Sequence, residues 1–233
     1  QRAIMMIFMH NKPRRTKKYL TTLERRFAYY GWTDINPREI SWEYYRNTKN
    51  NHPLLFTSFG NNDKNCILFL GAVHGDELPT AYLLFKLAHY LKENPDYFAD
   101  KCIVIAPLVN PDGFLSTSAT RVNANGVDIN RNFPTRDWRA KAIRQWTRKG
   151  KIARYDPGIK PASEQETQFQ IALIKRFNPQ KILSVHSPLN FFDYDGPSSD
   201  LNSFEQWMEQ ICKESDHPLK KFGYFPGSLG NYA

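Results

Sequence analysis

Apolar residues recur along this chain in two rhythms, and each rhythm predicts its own kind of element. Between residues 16 and 31, Leu20, Leu23, Phe27 and Tyr30 fall at helical spacing, which predicts an amphipathic helix ending at Gly31. Glu39 to Tyr45 and Leu54 to Ser58 are strand-like and separated by Asn-rich turn residues from Asn47 to Asn51, so they predict a hairpin at a sheet edge. Two continuous apolar runs, Ile67-Leu68-Phe69-Leu70 and Cys102 to Val109, read as buried strands. Pro79 opens an amphipathic helix through Tyr90, because proline is tolerated at the first helical position. The stretch from Asn110 to about Pro134 has no regular rhythm, and long irregular stretches inside domains are usually functional. A helix is expected from Trp138 to Lys149, then a loop from Gly150 to Pro161. Ser163-x-x-Glu166 opens a further helix with a capping box. Lys181-Ile182-Leu183-Ser184-Val185 is a short strand that delivers His186, and a helix from about Ser203 to Lys213 leads to a Gly/Pro-rich close, Gly223 to Tyr232. Strands alternating with helices argue for an α/β layer sandwich whose site lies in the loops at the strand C-termini.

Length and charge narrow this picture. A chain of 233 residues suits one large domain with a substantial core. The formal net charge is +9, contributed in part by Lys12 to Lys18 and in part between Arg136 and Arg154, where Trp138 and Trp146 are interleaved. Such a surface suits a polyanion, or is simply a solvated basic face; no nucleic-acid-binding motif accompanies it, so a nucleic-acid partner is not expected. No apolar run approaches the roughly 18 residues needed to cross a bilayer, so no membrane span is expected. Met5-Met6-Ile7-Phe8-Met9 is too short for a signal-peptide core but fits the remnant of a trimmed one, as does a start at Gln1. Three cysteines make no disulfide scaffold. Cys66 and Cys102 each begin an apolar strand eight residues before a motif residue, His74 and Asn110, so parallel neighbouring strands would set the two thiols at one height. Burial as small apolar groups is the first expectation for them, and a disulfide the second.

The chemistry gathers at the strand ends. Gly71-Ala72-Val73-His74-Gly75-Asp76-Glu77 follows a buried strand, and its His-x-x-Glu can aim an imidazole and a carboxylate at one point. One further imidazole, from His186 at another strand end, would complete a His/Glu/His set, the kind that leaves a fourth zinc position open for catalysis. By itself the spacing fits equally well a surface histidine beside a helix-start glutamate.

Three more motifs follow in order: Asn110-Pro111-Asp112-Gly113, then Arg121-x-Asn123-x-Asn125-Gly126-Val127-Asp128-Ile129-Asn130-Arg131-Asn132-Phe133-Pro134, then His186-Ser187, with Ser163-Glu164-Gln165-Glu166-Thr167 at a helix start. Together they resemble the M14 family of zinc metallocarboxypeptidases over roughly residues 54 to 233. The resemblance implies a three-layer α/β/α sandwich with a mixed, mostly parallel central sheet over residues 51–233, preceded by a helix-and-edge extension at 1–50. It implies one zinc ion held by His74, Glu77 and His186, and Arg121 steadying the oxyanion. It also implies Asn130 and Arg131 gripping a terminal carboxylate, for which the planar guanidinium fork is suited. Tyr224 falls where the family carries a mobile tyrosine over the substrate, and Leu229 where it lines the pocket for the departing residue. Asp112 and Asp128 sit in settings that suit turn chemistry and support of other groups better than acid catalysis.

Within the family, the general-base glutamate lies on a strand a dozen or more residues after the Gly-Ser-x-Gly loop, whereas this sequence stops at Ala233. The base is therefore expected beyond it, and the chain as written is expected to bind zinc yet hydrolyse slowly. The Val-Asn-Ala-Asn-Gly-Val-Asp-Ile-Asn-Arg-Asn-Phe-Pro run and the compact ending are similar to bacterial murein-peptide amidases of the family. This implies a peptidoglycan-derived peptide as substrate and a periplasmic or exported protein, with a cytoplasmic one as alternative. Two other readings stay open: an acyl-amino-acid deacylase resembling aspartoacylase or succinylglutamate desuccinylase, and a non-catalytic zinc- or wall-binding module if the chain truly ends at Ala233.

Overall fold

Cys66–Leu70 (β3) and Cys102–Ala106 (β4) run parallel and in register inside a five-stranded sheet. In the computed structural model, residues 13–62, 65–194, 201–220 and 223–233 are described; Met5 to Met9 and Lys12 of the basic run lie outside them. The sheet order is β1-β2-β4-β3-β5, with β1 spanning Glu43–Asn47, β2 Pro53–Gly60 and β5 Lys181–Ser184. Strands β3, β4 and β5 are mutually parallel, while the β1–β2 hairpin joins β4 antiparallel and puts β1 at the edge. The parallel strands set their C-terminal ends side by side, which is where loops build sites in α/β sheets.

Both faces of the sheet are covered, and period-two alternation along β4 shows how. Cys102, Val104 and Ala106 belong to one core cluster with Phe169 and Leu173 of α5 (Gln165–Phe177). Ile103 and Ile105 face the other way, onto Leu84, Ala88 and Leu91 of α2 (Leu78–Glu93). Helix α1 (Pro13–Tyr29) then lies over α2, burying Leu20, Leu23 and Phe27 against Ala81 and Phe85, with the Phe27 and Phe85 rings edge-on at 5.1 Å. Residues 13–50 thus share the core of the rest: α1 through Phe27, and β1 through its pairing with β2. Burying a leucine or phenylalanine stabilises by about 1.5–3 kcal/mol, so α1 is held by its apolar stripe. The remaining helices are α3 (Pro111–Leu115), α4 (Ile143–Arg148, entered through a π turn at Trp138–Ala142) and α6 (Leu201–Ser215).

The thiols stand level, as parallel neighbours require: Cys66 pairs with Cys102, both buried, with sulfurs 3.2 Å apart as free cysteines. Three expectations are corrected. The strand expected from Glu39 begins at Glu43, because Pro37–Glu39 winds into a 3-10 turn capped by Asn36. The strand from Cys102 ends at Ala106 instead of Val109, because Pro107 has no N–H to extend the ladder. The chain nevertheless stays beside β3, with the Val109 and Asn110 amides donating to the Gly71 and Ala72 carbonyls. The capping box at Ser163 does not form. Helix α5 starts one residue later than that pattern requires, with Glu164 as its N-cap and no side-chain cap bond. The Ser163 hydroxyl instead bonds Glu164, and both glutamates are drawn to asparagines: Asn123 donates to Glu164 and Glu166, and Asn125 to Glu164. Long-range partners outcompete the local cap.

Candidate active site

The first two ligand candidates come from the turn after β3. Ala72 has φ +43°, a left-handed conformation costly for a residue with a Cβ. It is held there by its own amide donating to Thr80 Oγ1 at 2.8 Å and its carbonyl accepting from Asn110. Thr80 in turn donates to the Glu77 carbonyl at 2.7 Å, closing the turn onto the start of α2. At Gly75 a Cβ would stand 2.4 Å from the Gly113 carbonyl carbon, so only glycine fits. That contact locks the His74-Gly75 and Asp112-Gly113 motifs together. Asp112 does what its setting suggested: it accepts from Thr48, the Asn50 amide and His52, tying down the β1–β2 turn.

His186 arrives from β5. Ser184 pairs with Leu70 and the Val185 amide donates to the Leu70 carbonyl at 2.8 Å, so the next residue emerges beside the His74 turn. His74 Nδ1 lies 2.9 Å from Glu77 Oε1 and His186 Nδ1 lies 2.8 Å from Glu77 Oε2. The three residues can offer ligand atoms all within 4.8 Å of one another. Burial pushes the Glu77 carboxyl up, but the two histidines outweigh it and hold it down at about 2, so this carboxylate is ionised. Two imidazoles and an ionised carboxylate converging on one point form the donor set that a borderline divalent cation takes.

Asp128 organises the rest. Its Oδ1 stands 3.3 Å from His74 Nε2 and accepts the Asn130 amide at 3.0 Å; its Oδ2 accepts from Arg121 Nη2 and Nε at 2.9 and 3.1 Å. Burial opposes its charge, yet His74, Arg121 and Arg131 hold this carboxyl well below the usual carboxylate range. His74 is pulled the other way: burial disfavours its charge, but Asp128 and Glu77 raise its pKa above the ordinary value. With Nε and Nη2 on Asp128, Arg121 reaches over the cluster through Nη1, 3.2 Å from His74 Nδ1 and 4.0 Å from Glu77 Oε1. The Asn110 side chain fixes the Arg121 backbone by donating to its carbonyl.

The other expected residues lie along the same loops. Asn130 Oδ1 accepts the Leu229 amide at 2.9 Å, and the Leu229 side chain is buried in the main core cluster. Arg131 is buried, its Nη1 donating to the Asn130 carbonyl and its guanidinium 4.7 Å from the Phe225 ring centroid. Tyr224 is half-exposed and donates its hydroxyl to Asp137, with the Lys141 ammonium 4.7 Å from its ring. Four contributors were not read from the sequence. Ser184 bonds His186 Nε2 at 3.0 Å, and its place two residues before the histidine on a strand was a usable signal. Trp138 donates to the Arg131 carbonyl at 3.0 Å; it, Phe225 and Asp137 carried no local signal.

An α/β sheet whose strand ends bring together two histidines, a glutamate and a facing arginine defines a metallohydrolase site. Residues 40–221 match the zinc carboxypeptidase family, peptidase M14, and the chain belongs to that family. It is thereby one of a family of zinc-dependent hydrolytic enzymes, and the His74, Glu77 and His186 cluster fits that metal. Murein peptide amidase A of Escherichia coli K12 is 31% identical over 195 residues, covering 82% of this chain and 75% of that protein. The crystal structure of murein-tripeptide amidase from Escherichia coli O157 superposes with a TM-score of 0.58 at 25% identity, over 82% of this chain and 77% of the other. Bovine thrombin-activatable fibrinolysis inhibitor shares the fold, with a TM-score of 0.70 at 16% identity over 93% of this chain and 80% of that one.

Proposed function

We propose that this protein hydrolyses an amide bond next to a terminal carboxylate, and that the bond is the one joining γ-D-glutamate to diaminopimelate in peptidoglycan peptides. The observation that carries the reading is Asp128, which touches His74 through Oδ1, Arg121 through Oδ2 and the Asn130-Arg131 backbone through the same loop. One buried carboxylate thereby sets the spacing between ligand, guanidinium and carboxylate clamp. The likeness to murein peptide amidase A supports the choice of bond. Zinc, when bound by His74, Glu77 and His186, supplies Lewis acidity and an acidified water. Arg121 Nη1 is fixed where negative charge develops on the carbonyl oxygen, a placement that needs no reorganisation during reaction. Asn130 and Arg131 take the terminal carboxylate, Leu229 offers the departing residue an apolar wall, and Tyr224 covers the substrate. Glu164 and Glu166 are engaged with Asn123 in the buried support and take no part in the step.

Incubation of the zinc-loaded protein with L-Ala-γ-D-Glu-diaminopimelate should release free diaminopimelate, slowly for the 233 residues alone and faster once the general-base glutamate is supplied. Rapid removal of C-terminal lysine from ordinary peptides with the murein tripeptide untouched would overturn the choice of bond, and activity confined to N-acyl amino acids would restore the deacylase reading. The proposed substrate supports a periplasmic or exported protein, with a cytoplasmic one as the alternative, and no helix among the described residues is long and apolar enough to cross a membrane. Recovery solely in the cytoplasmic fraction would favour the alternative.

A further inference from the structure

One of the two basic stretches of this protein lies beside the site. Residues 136–154 hold eight basic side chains and one acidic one, a balance of +7 within the chain total of +9. All eight basic residues are exposed. Three of them lie against aromatic faces: the Lys149 ammonium is 3.7 Å and the Arg154 guanidinium 5.4 Å from the centre of the Tyr155 ring, and the Lys151 ammonium is 5.9 Å from that of Trp146. Such contacts keep cations extended over a surface where a solvated face would leave them loose.

The segment is tied to the site at three points, and the chain just after it at a fourth. Trp138 turns inward and donates to the Arg131 carbonyl. The Arg154 carbonyl accepts Arg121 Nε at 3.3 Å, and the Asp156 carbonyl accepts the Asp128 amide at 2.9 Å. Asp137, its single acid, receives the Tyr224 hydroxyl. A substrate with its terminal residue at Arg131 and its scissile carbonyl at Arg121 would have its acyl side near that guanidinium, against which the Arg154 end of this segment rests.

We propose that residues 136–154 form a basic docking rim for carboxylates carried on the acyl side of the scissile bond, so that the enzyme selects substrates with an anionic body. This rests on the carboxylate-ended substrate proposed above and names what else that substrate must carry. Exposed ion pairs are individually weak, so selectivity comes from several acting together and is screened by salt.

The test uses binding as well as turnover. Peptides sharing one C-terminal residue are made with two glutamates or two glutamines upstream, each with a free and an amidated C-terminus. Calorimetry with the zinc-free protein at low salt should show the glutamate peptides binding about tenfold tighter than the glutamine ones, a gap that closes at high salt. Combining Arg139→Gln, Arg144→Gln and Arg148→Gln should erase the gap while leaving the melting temperature and the binding of glutamine peptides unchanged. With zinc restored, kcat/KM should follow the same order. Equal binding of glutamate and glutamine peptides, or a gap that survives the triple substitution, would overturn the rim. Loss of the difference between free and amidated ends would instead overturn the carboxylate grip, so the two failures read separately.

Discussion

His74 and His186 face the same carboxylate, yet the protein holds them differently. The His74 side chain is 4% exposed and has Glu77, Asp128 and Arg121 around it. His186 is 33% exposed, on Glu77 and Ser184 at the end of the edge strand β5. The His74 side is assembled by residues from three successive motifs that interlock through Gly75 and Gly113, and it can be rigid before anything binds. The His186 side has fewer such supports among the described residues. Pre-organisation is thus built more heavily on the His74 side of the cluster than on the His186 side.

Removing both histidines should give the largest effect. His74→Ala combined with His186→Ala should reduce zinc from about one per chain to background in metal analysis of purified protein, since a single carboxylate does not hold catalytic zinc. Tight zinc surviving in that variant would show that the metal sits elsewhere.

The asymmetry itself is probed through the supporting residues. Asp128→Asn should weaken zinc about 10- to 100-fold in chelator competition, because it loosens the imidazole and Arg121 together. Ser184→Ala, on the His186 side, should cost less than tenfold in the same measurement. Equal losses would mean that burial does not distinguish the two histidines.

The clamp comes next. Arg131→Lys keeps the charge but loses the planar fork, and should lower kcat/KM on a carboxylate-ended peptide by roughly 10-fold or more. An unchanged value would show that Arg131 does not hold the carboxylate.

A smaller effect lies in the support beneath the site. Burial, with Asp112 and Glu164 nearby, pushes the Glu166 carboxyl up to about 7 against the backbone and Asn123 bonds that lower it. The folded state therefore binds this proton more tightly than the unfolded chain. The resulting penalty is absent below the unfolded value of 4.5, grows up to about 7 and is complete above it, at roughly 3 kcal/mol. Urea unfolding should show Glu166→Gln gaining stability relative to the parent as pH rises from 5 to about 8, and a pH-independent difference would refute the assignment.

Much of this protein was legible in its sequence because the signals were local. Continuous apolar runs marked β3 and β4, the helical rhythm marked α1 and α2, and His74 with Glu77 declared a shared direction by standing at a strand end. The resemblance to the zinc carboxypeptidases then joined His186 to them, across 109 residues that no periodicity can span. What only the tertiary structure decided is which partner each polar group takes. Ser163 promised a cap and was diverted to Glu164 and Asn132; Asp128 had three claimants and serves all of them; Asn130 spends its side-chain oxygen on the Leu229 amide, 99 residues away. Backbone preference is a property of a few neighbouring residues and can be read from them. The partner of a buried donor or acceptor depends on which distant segment the sheet topology brings within about 3 Å, and that is settled only when the strands have chosen their order.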